Sequence, residues 1–147
     1  MNLNEWFNNG WLKRHQTSRD EIQNLLNLVK RDLTDCRIPE LSTDWRFAIA
    51  YNAALQCCSI ALYCRGFKVA RGQSEHYRAI QSLVYTLGKE HAADRDYLNA
   101  CRNKRNISDY DSAGTISDKE SLELIDFADD LYQKMLDWLK KNYPMYC

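Results

Sequence analysis

The stretch TDWRFAIAYNAALQCCSIALYCRG, residues 43–66, decides the fold. Phe47, Ala50, Tyr51, Ala54, Cys57, Ala61 and Cys64 recur at helical spacing from about Thr43 to Arg65. Gly66 follows where a helix stops most cheaply, at a position that tolerates a left-handed backbone. Ser42 or Thr43 can supply the N-cap. The segment is rich in small side chains (Ala50, Ala53, Ala54, Cys57, Cys58, Ala61). Small residues let a neighbouring backbone approach closely, so this helix is expected at the centre of a helical bundle.

Working outward, the other patterned segments also have helical period. Ser18 with Glu21 is a capping-box signature, followed by Ile22, Leu25, Leu26, Val29, Leu33 and Cys36; Pro39 closes the connection to the central helix. A shorter helix is compatible with Asn4 to His15. Beyond a basic loop, Phe67 to Gly72, Ser74 is placed to cap a helix carrying Tyr77, Ile80, Leu83, Val84 and Leu87, with Gly88 at its end. Residues from about Ala92 to Asn106 set Tyr97, Leu98, Cys101 and Arg105 on one face. Ser117 and Glu120 form a second capping box ahead of Leu122, Ile125, Ala128, Tyr132, Met135 and Leu139. A second stripe there (Leu124, Phe127, Leu131, Trp138) widens the apolar arc enough to pack on two surfaces. The expectation is an all-α, antiparallel bundle of about five main helices, forming one domain over residues 1–147.

Composition narrows the function classes. With 147 residues, 5 Gly and 2 Pro, the chain suits one domain with few long elements. Its 20 basic and 20 acidic side chains cancel, which argues against a general electrostatic grip on nucleic acid but leaves room for a local basic patch. Met1 to Arg14 carries Glu5 and no continuous apolar run, so no signal peptide is expected. No membrane-spanning apolar stretch is expected either. The 6 cysteines (Cys36, Cys57, Cys58, Cys64, Cys101, Cys147) lie mostly on apolar stripes, so reduced thiols and a cytoplasmic location are expected.

Common catalytic signatures are missing: there is no Gly-rich phosphate loop, CxxC pair or HExxH. Neither a metal nor a cofactor is expected. Adjacent Cys57 and Cys58 diverge by about 100° on a helix, so they read as small buried hydrophobes. The unusual segment is Cys101-Arg102-Asn103-Lys104-Arg105-Asn106-Ile107-Ser108-Asp109-Tyr110-Asp111. Its stripe calls for an apolar residue near position 105, and Arg105 stands there. A guanidinium directed into a bundle is costly without a carboxylate, a carbonyl or an anionic ligand. Two readings stay open. Arg105 pairs with Asp109, Asp111 or a carboxylate from another helix and locks the bundle end, or Arg102, Lys104 and Arg105 form a cationic site for phosphate.

Other residues also carry two readings. His76, beside Glu75 at a helix start, either has a local partner or joins Arg105 as an acid or base. Asn52, Gln56, Ser59 and Tyr63 form a polar line that is either solvated or an interface seam. The cations Arg65, Lys68 and Arg71, with Phe67, are either solvated loop charge or phosphate contacts. The aromatic tail Tyr143-Pro144-Met145-Tyr146-Cys147 is expected to dock on the bundle or on a second subunit.

The sequence resembles the HEPN superfamily, in particular its bacterial branch with an N-terminal helical extension. The likeness runs through Leu12-Lys13 and Ser18 to Asp32, and through Asp44-Trp45, Ala50-Tyr51-Asn52-Ala53-Ala54-Leu55-Gln56, Ala61-Leu62 and Gly66. It continues at Glu75-His76-Tyr77, Arg102-Asn103-Lys104-Arg105-Asn106 and Tyr110-Asp111. This resemblance implies residues 1–40 as an extension packed on the domain, and a homodimer with the arginine segments facing each other. It further implies a toxin–antitoxin or defence-like role, with a minimal nucleotidyltransferase antitoxin as partner, RNA or a nucleotide as ligand, and metal-independent ribonuclease activity in many members. Carried over, Arg105 is the motif arginine and Asn106 its polar neighbour. The motif histidine falls near position 110, where this chain has Tyr110. A phenol that titrates near 10 is a poor base at neutral pH, which weakens the ribonuclease expectation; Tyr110 would donate a hydrogen bond instead. The alternative function is a non-catalytic helical module that binds a protein partner.

Overall fold

The computed structural model describes residues 1–72, 74–110 and 114–147, apart from the side chains of 107–110. In chain order the elements are α1 (Leu3–Asn8), β1 (Leu12–Arg14), α2 (Arg19–Asp35), α3 (Thr43–Cys64) and β2 (Phe67–Val69). Then come α4 (Glu75–Gln81), α5 (Leu83–Thr86), a 3-10 turn (Lys89–His91), α6 (Ala92–Tyr110), α7 (Asp118–Asn142) and a final 3-10 turn (Pro144–Tyr146). The architecture is the expected all-α bundle, with one small two-stranded sheet at its side.

Local chemistry sets the helix ends. Ser42 Oγ accepts from the Trp45 N–H (3.2 Å) to start α3, and Gly66, at φ +89°, donates its N–H to the Tyr63 carbonyl (2.9 Å) just past its end. Ser117 and Glu120 make a complete capping box at α7. At α2, Ser18 Oγ accepts from the Glu21 N–H (3.1 Å), while Glu21 Oε1 is held by Thr17 (2.6 Å) and His15 (2.6 Å).

α3 is the core helix. Ala50, Ala53, Ala54, Cys58, Ile60 and Ala61 have no exposed surface. α3 packs most extensively against α7, next against α2, and then against α4 and α6. Ile22 and Val29 from α2, and Leu124, Ile125, Ala128, Met135 and Leu139 from α7, are fully enclosed around it. The alanines and cysteines of α3 leave room for these larger side chains, the interlocking of large on small that dense packing requires. By length and composition α3 is also apolar enough to cross a membrane, which corrects the expectation that no such stretch exists; 67% of that window is buried inside the bundle.

Three departures matter for the site. The N-terminal helix is only α1, and the next residues form β1, paired antiparallel with β2 from the segment read as a basic loop. The register is Leu12↔Val69, Lys13↔Lys68 and Arg14↔Phe67. Strands of three residues are too short to show a period of two, so the pairing rests on a side cluster of Leu3, Trp6, Leu12, Leu62 and Phe67. The helix expected from Ser74 to Gly88 is broken at Ser82, whose buried hydroxyl donates to the Ala79 carbonyl (2.6 Å). Such local bonding competes with the helical ladder. Ser74 makes no side-chain cap bond. The aromatic tail docks on α2: Gln23 Nε2 donates to the Tyr146 carbonyl (2.8 Å) and Arg19 Nε to the Cys147 carbonyl (3.0 Å).

The packing of this core has two measurable consequences. Ala54→Leu, at a position with no free surface, destabilises the chain by about 1–3 kcal/mol, read as a lower urea midpoint. All six cysteines are free and five are buried, with burial pushing the Cys58 and Cys64 thiols to about 12 and Cys101 to about 11. A thiol reagent therefore labels Cys147 alone in native buffer, and all six cysteines in denaturant.

Candidate functional site

The site is assembled where α4 crosses α6 over the middle of α3. Glu75, His76 and Tyr77 form the first turn of α4, directly after the sheet and its following bend. Arg102, Arg105 and Asn106 come from the C-terminal half of α6, and at spacings of three and four they share one face. Together with Gly72 these six residues line a groove of about 330 Å³. Both segments stand out in the sequence, but 29 positions separate His76 from Arg105, and only the packing of α4 on α6 joins them.

Beneath the groove lies Tyr51 of α3, only 1% exposed. Its hydroxyl is 3.1 Å from His76 Nδ1, and the Arg105 guanidinium carbon sits 5.4 Å from its ring centroid. Arg102 packs 5.5 Å from the Tyr77 ring centroid and donates from Nε to Asn99 Oδ1 (3.0 Å). Attraction between each cation and the face of its ring favours these positions.

The electrostatics follow from burial. His76 is held below its ordinary value, first by desolvation and then by the positive charge of Arg105; Glu75 opposes this, and Arg102 adds to it. Burial pushes the Tyr51 phenol well up, although Arg105 and Arg102 pull against it. At neutral pH the pair is therefore a neutral imidazole and a neutral phenol. If Tyr51 donates to Nδ1, Nε2 carries the ring proton; if Nδ1–H donates to Tyr51, Nε2 has the free lone pair. Both forms leave Nε2 as the atom that exchanges a proton. Two guanidiniums beside such an imidazole can hold a phosphate oxygen pair while a proton moves nearby.

Not every residue named from the sequence joins this groove. Lys104 points to the other side of α6, with Nζ 3.1 Å from Glu120, and lines a separate cleft with Phe47, Tyr97 and Glu123. The helix turns about 200° between positions 102 and 104, so Lys104 does not share the face that carries Arg102 and Arg105. The side chains of Tyr110 and Asp109, and the whole of Asp111, lie outside the described residues. His91 is tied to Asp94 (3.0 Å) and His15 to Glu21 (2.6 Å), so His76 is the histidine brought to the arginines. The polar line on α3 divides: Asn52 donates to Asp32 Oδ2 (3.2 Å), whereas Ser59 and Tyr63 line a second groove. The support from Tyr51 is not evident from the sequence; its signal is a long, polar-tipped side chain within a stripe of alanine and cysteine.

The His76 environment can be read by NMR titration. Arg105→Gln removes a repelling charge and raises the His76 midpoint toward the ordinary imidazole value. The sign for stability follows from the lowered folded-state value. Between the folded and unfolded values the unfolded chain binds more protons, so the contribution of His76 is complete above about pH 6.5 and declines as the pH falls below it. His76→Gln removes that part of the pH dependence, measured as urea midpoints across the acid range. Comparison of this chain with protein-family models, curated proteins and solved structures returned no significant match.

Proposed function

We propose that this chain is a HEPN-type domain that recognises RNA or a nucleotide by a phosphate held between Arg102 and Arg105. The observation that carries this reading is the convergence of two guanidiniums and a neutral imidazole, backed by a buried phenol, on one groove. Planar guanidinium groups match the oxygens of a phosphate, and a half-buried setting strengthens each bond. The resemblance to the HEPN superfamily at Arg102–Asn106 supports the same assignment. It also supports a homodimer in a toxin–antitoxin or defence-like system, with a minimal nucleotidyltransferase as partner.

His76 restores an imidazole to a motif that has Tyr110 in the expected histidine position. In this reading His76 takes the proton of a ribose 2′-hydroxyl and the 2′-oxygen attacks the adjacent phosphorus. The phosphorus–5′-oxygen bond then breaks, and the departing oxygen takes a proton from solvent. The products are a 2′,3′-cyclic phosphate and a 5′-hydroxyl. Arg105 stabilises the charge that builds on the phosphoryl oxygens, and Asn106 orients them. The second reading is a non-catalytic interaction module, favoured by Trp45 (63% exposed) and Leu122 (49% exposed), two large apolar side chains left open to solvent.

The purified chain and two variants, incubated with labelled single-stranded RNA, separate the readings. Arg105→Ala is expected to weaken binding by about tenfold or more and to abolish cleavage. His76→Gln is expected to keep most binding and to slow cleavage by about 10²–10⁴-fold. A wild-type chain that neither binds nor cleaves RNA leaves the interaction module as the function. Binding that is unchanged by Arg105→Ala removes the arginine site.

A further inference from the structure

The second groove, on the other side of His76, has a charge pattern that the proposed function does not use. Its volume is about 330 Å³, and its cations are Lys13, Lys68 and Arg71. Lys13 and Lys68 are direct cross-strand partners in the β1–β2 pair, so their side chains leave the same face of the sheet. Opposed like charges at about 5 Å between Cβ atoms destabilise a two-stranded sheet. Among the described residues no carboxylate lies within ion-pair distance of Lys13, Lys68 or Arg71. Glu75 is the one acid lining this groove, and its Oε1 accepts the Gly72 N–H (3.3 Å); Glu21, which feels Lys68, is already held by His15 and Thr17. Three cations thus face one shared space with a single carboxylate, and a sheet register that a bound anion would relieve.

This groove and the arginine groove meet at Glu75 and His76, which line both. Each also presents an aromatic side chain, Tyr63 in one and Tyr77 in the other. A cationic track with aromatic faces along it is the arrangement that binds single-stranded nucleic acid, with phosphates on the cations and bases stacked on rings.

We propose that Lys13, Lys68 and Arg71 form a second phosphate subsite, so that the ligand is a single-stranded polyribonucleotide and not a mononucleotide. Successive phosphates then sit on the lysine and arginine sides, with His76 between them. This rests on the reading that Arg102 and Arg105 hold the first phosphate.

The test is fluorescence polarisation with a labelled single-stranded oligoribonucleotide, together with competition by a ribonucleoside monophosphate, over a range of salt. Lys13→Ala with Lys68→Ala is expected to weaken oligonucleotide binding by about tenfold and to lower the salt slope by about 0.7 for each phosphate no longer neutralised. The intrinsic affinity for the monophosphate, measured directly on the same variant, stays at the wild-type value. Lys13→Arg with Lys68→Arg retains oligonucleotide binding. The double alanine variant should melt no lower than wild type, since it relieves a repulsion; Lys68→Gln alone gives the same comparison if the double variant does not fold. Oligonucleotide binding that is sensitive to Arg105→Ala but indifferent to both lysines overturns this subsite and leaves the arginine site standing. Absence of oligonucleotide binding by the wild-type chain overturns both.

Discussion

The hydroxyl of Tyr51, a side chain almost wholly enclosed in the bundle, finds its partner in His76. A buried phenol left without a hydrogen bond would cost on the order of 1–3 kcal/mol. The bond therefore constrains where α4 can lie relative to α3. Tyr51 is buried on a helix whose many alanines and cysteines, Ala54 among them, have small volumes that let α2 and α7 close around it. The same close packing that builds the core thus delivers a ring nitrogen to the surface of the arginine groove.

α4 is a helix of seven residues, too short to be stable by itself, so its position comes from interactions on two sides. On one side stands the Tyr51 bond. On the other, the Arg78 guanidinium carbon lies 3.7 Å from the Trp11 ring centroid, which ties α4 to the segment between α1 and β1. Trp11 is in turn held edge-on by Trp6, within the side cluster that stabilises the small sheet. The N-terminal residues therefore act on the groove indirectly: they brace the helix that carries His76 and supply Lys13 to the neighbouring cleft.

Formal neutrality conceals a marked separation of charge. Much of the acidic content sits on α7 and finds cations close by: Asp129 pairs with Arg37, Asp130 with Lys134 (2.8 Å) and Glu120 with Lys104 (3.1 Å). Lys13, Lys68, Arg71, Arg102 and Arg105 are gathered instead along the two grooves that meet at His76. A zero total argues against a basic surface everywhere, yet it is compatible with one cationic track backed by an acidic helix. Field strength at a cleft depends on local charge and on low-dielectric walls, not on the sum over the chain.

By itself, the sequence determined the helical class, the central place of residues 43–64, the caps at Ser18 and Ser117, and the stop at Gly66; it narrowed the α3 cap to Ser42 or Thr43, and the structure has Ser42. Each of these depends on residues within a few positions of one another. It also singled out Arg105, because a guanidinium in an apolar stripe is conspicuous at short range, and with it Arg102, three positions earlier. Only the tertiary structure decided that Lys104 faces Glu120, that Lys13 opposes Lys68 across a sheet, and that His76 stands beside the arginines. Those relations join residues far apart in the chain, and they exist only because the packing of α3, α4 and α6 closes the distance. Strands of three residues carry too few positions for a periodic signal, and the apolar spacing from Tyr77 to Leu87 runs straight through the break at Ser82, so both features had to come from the fold.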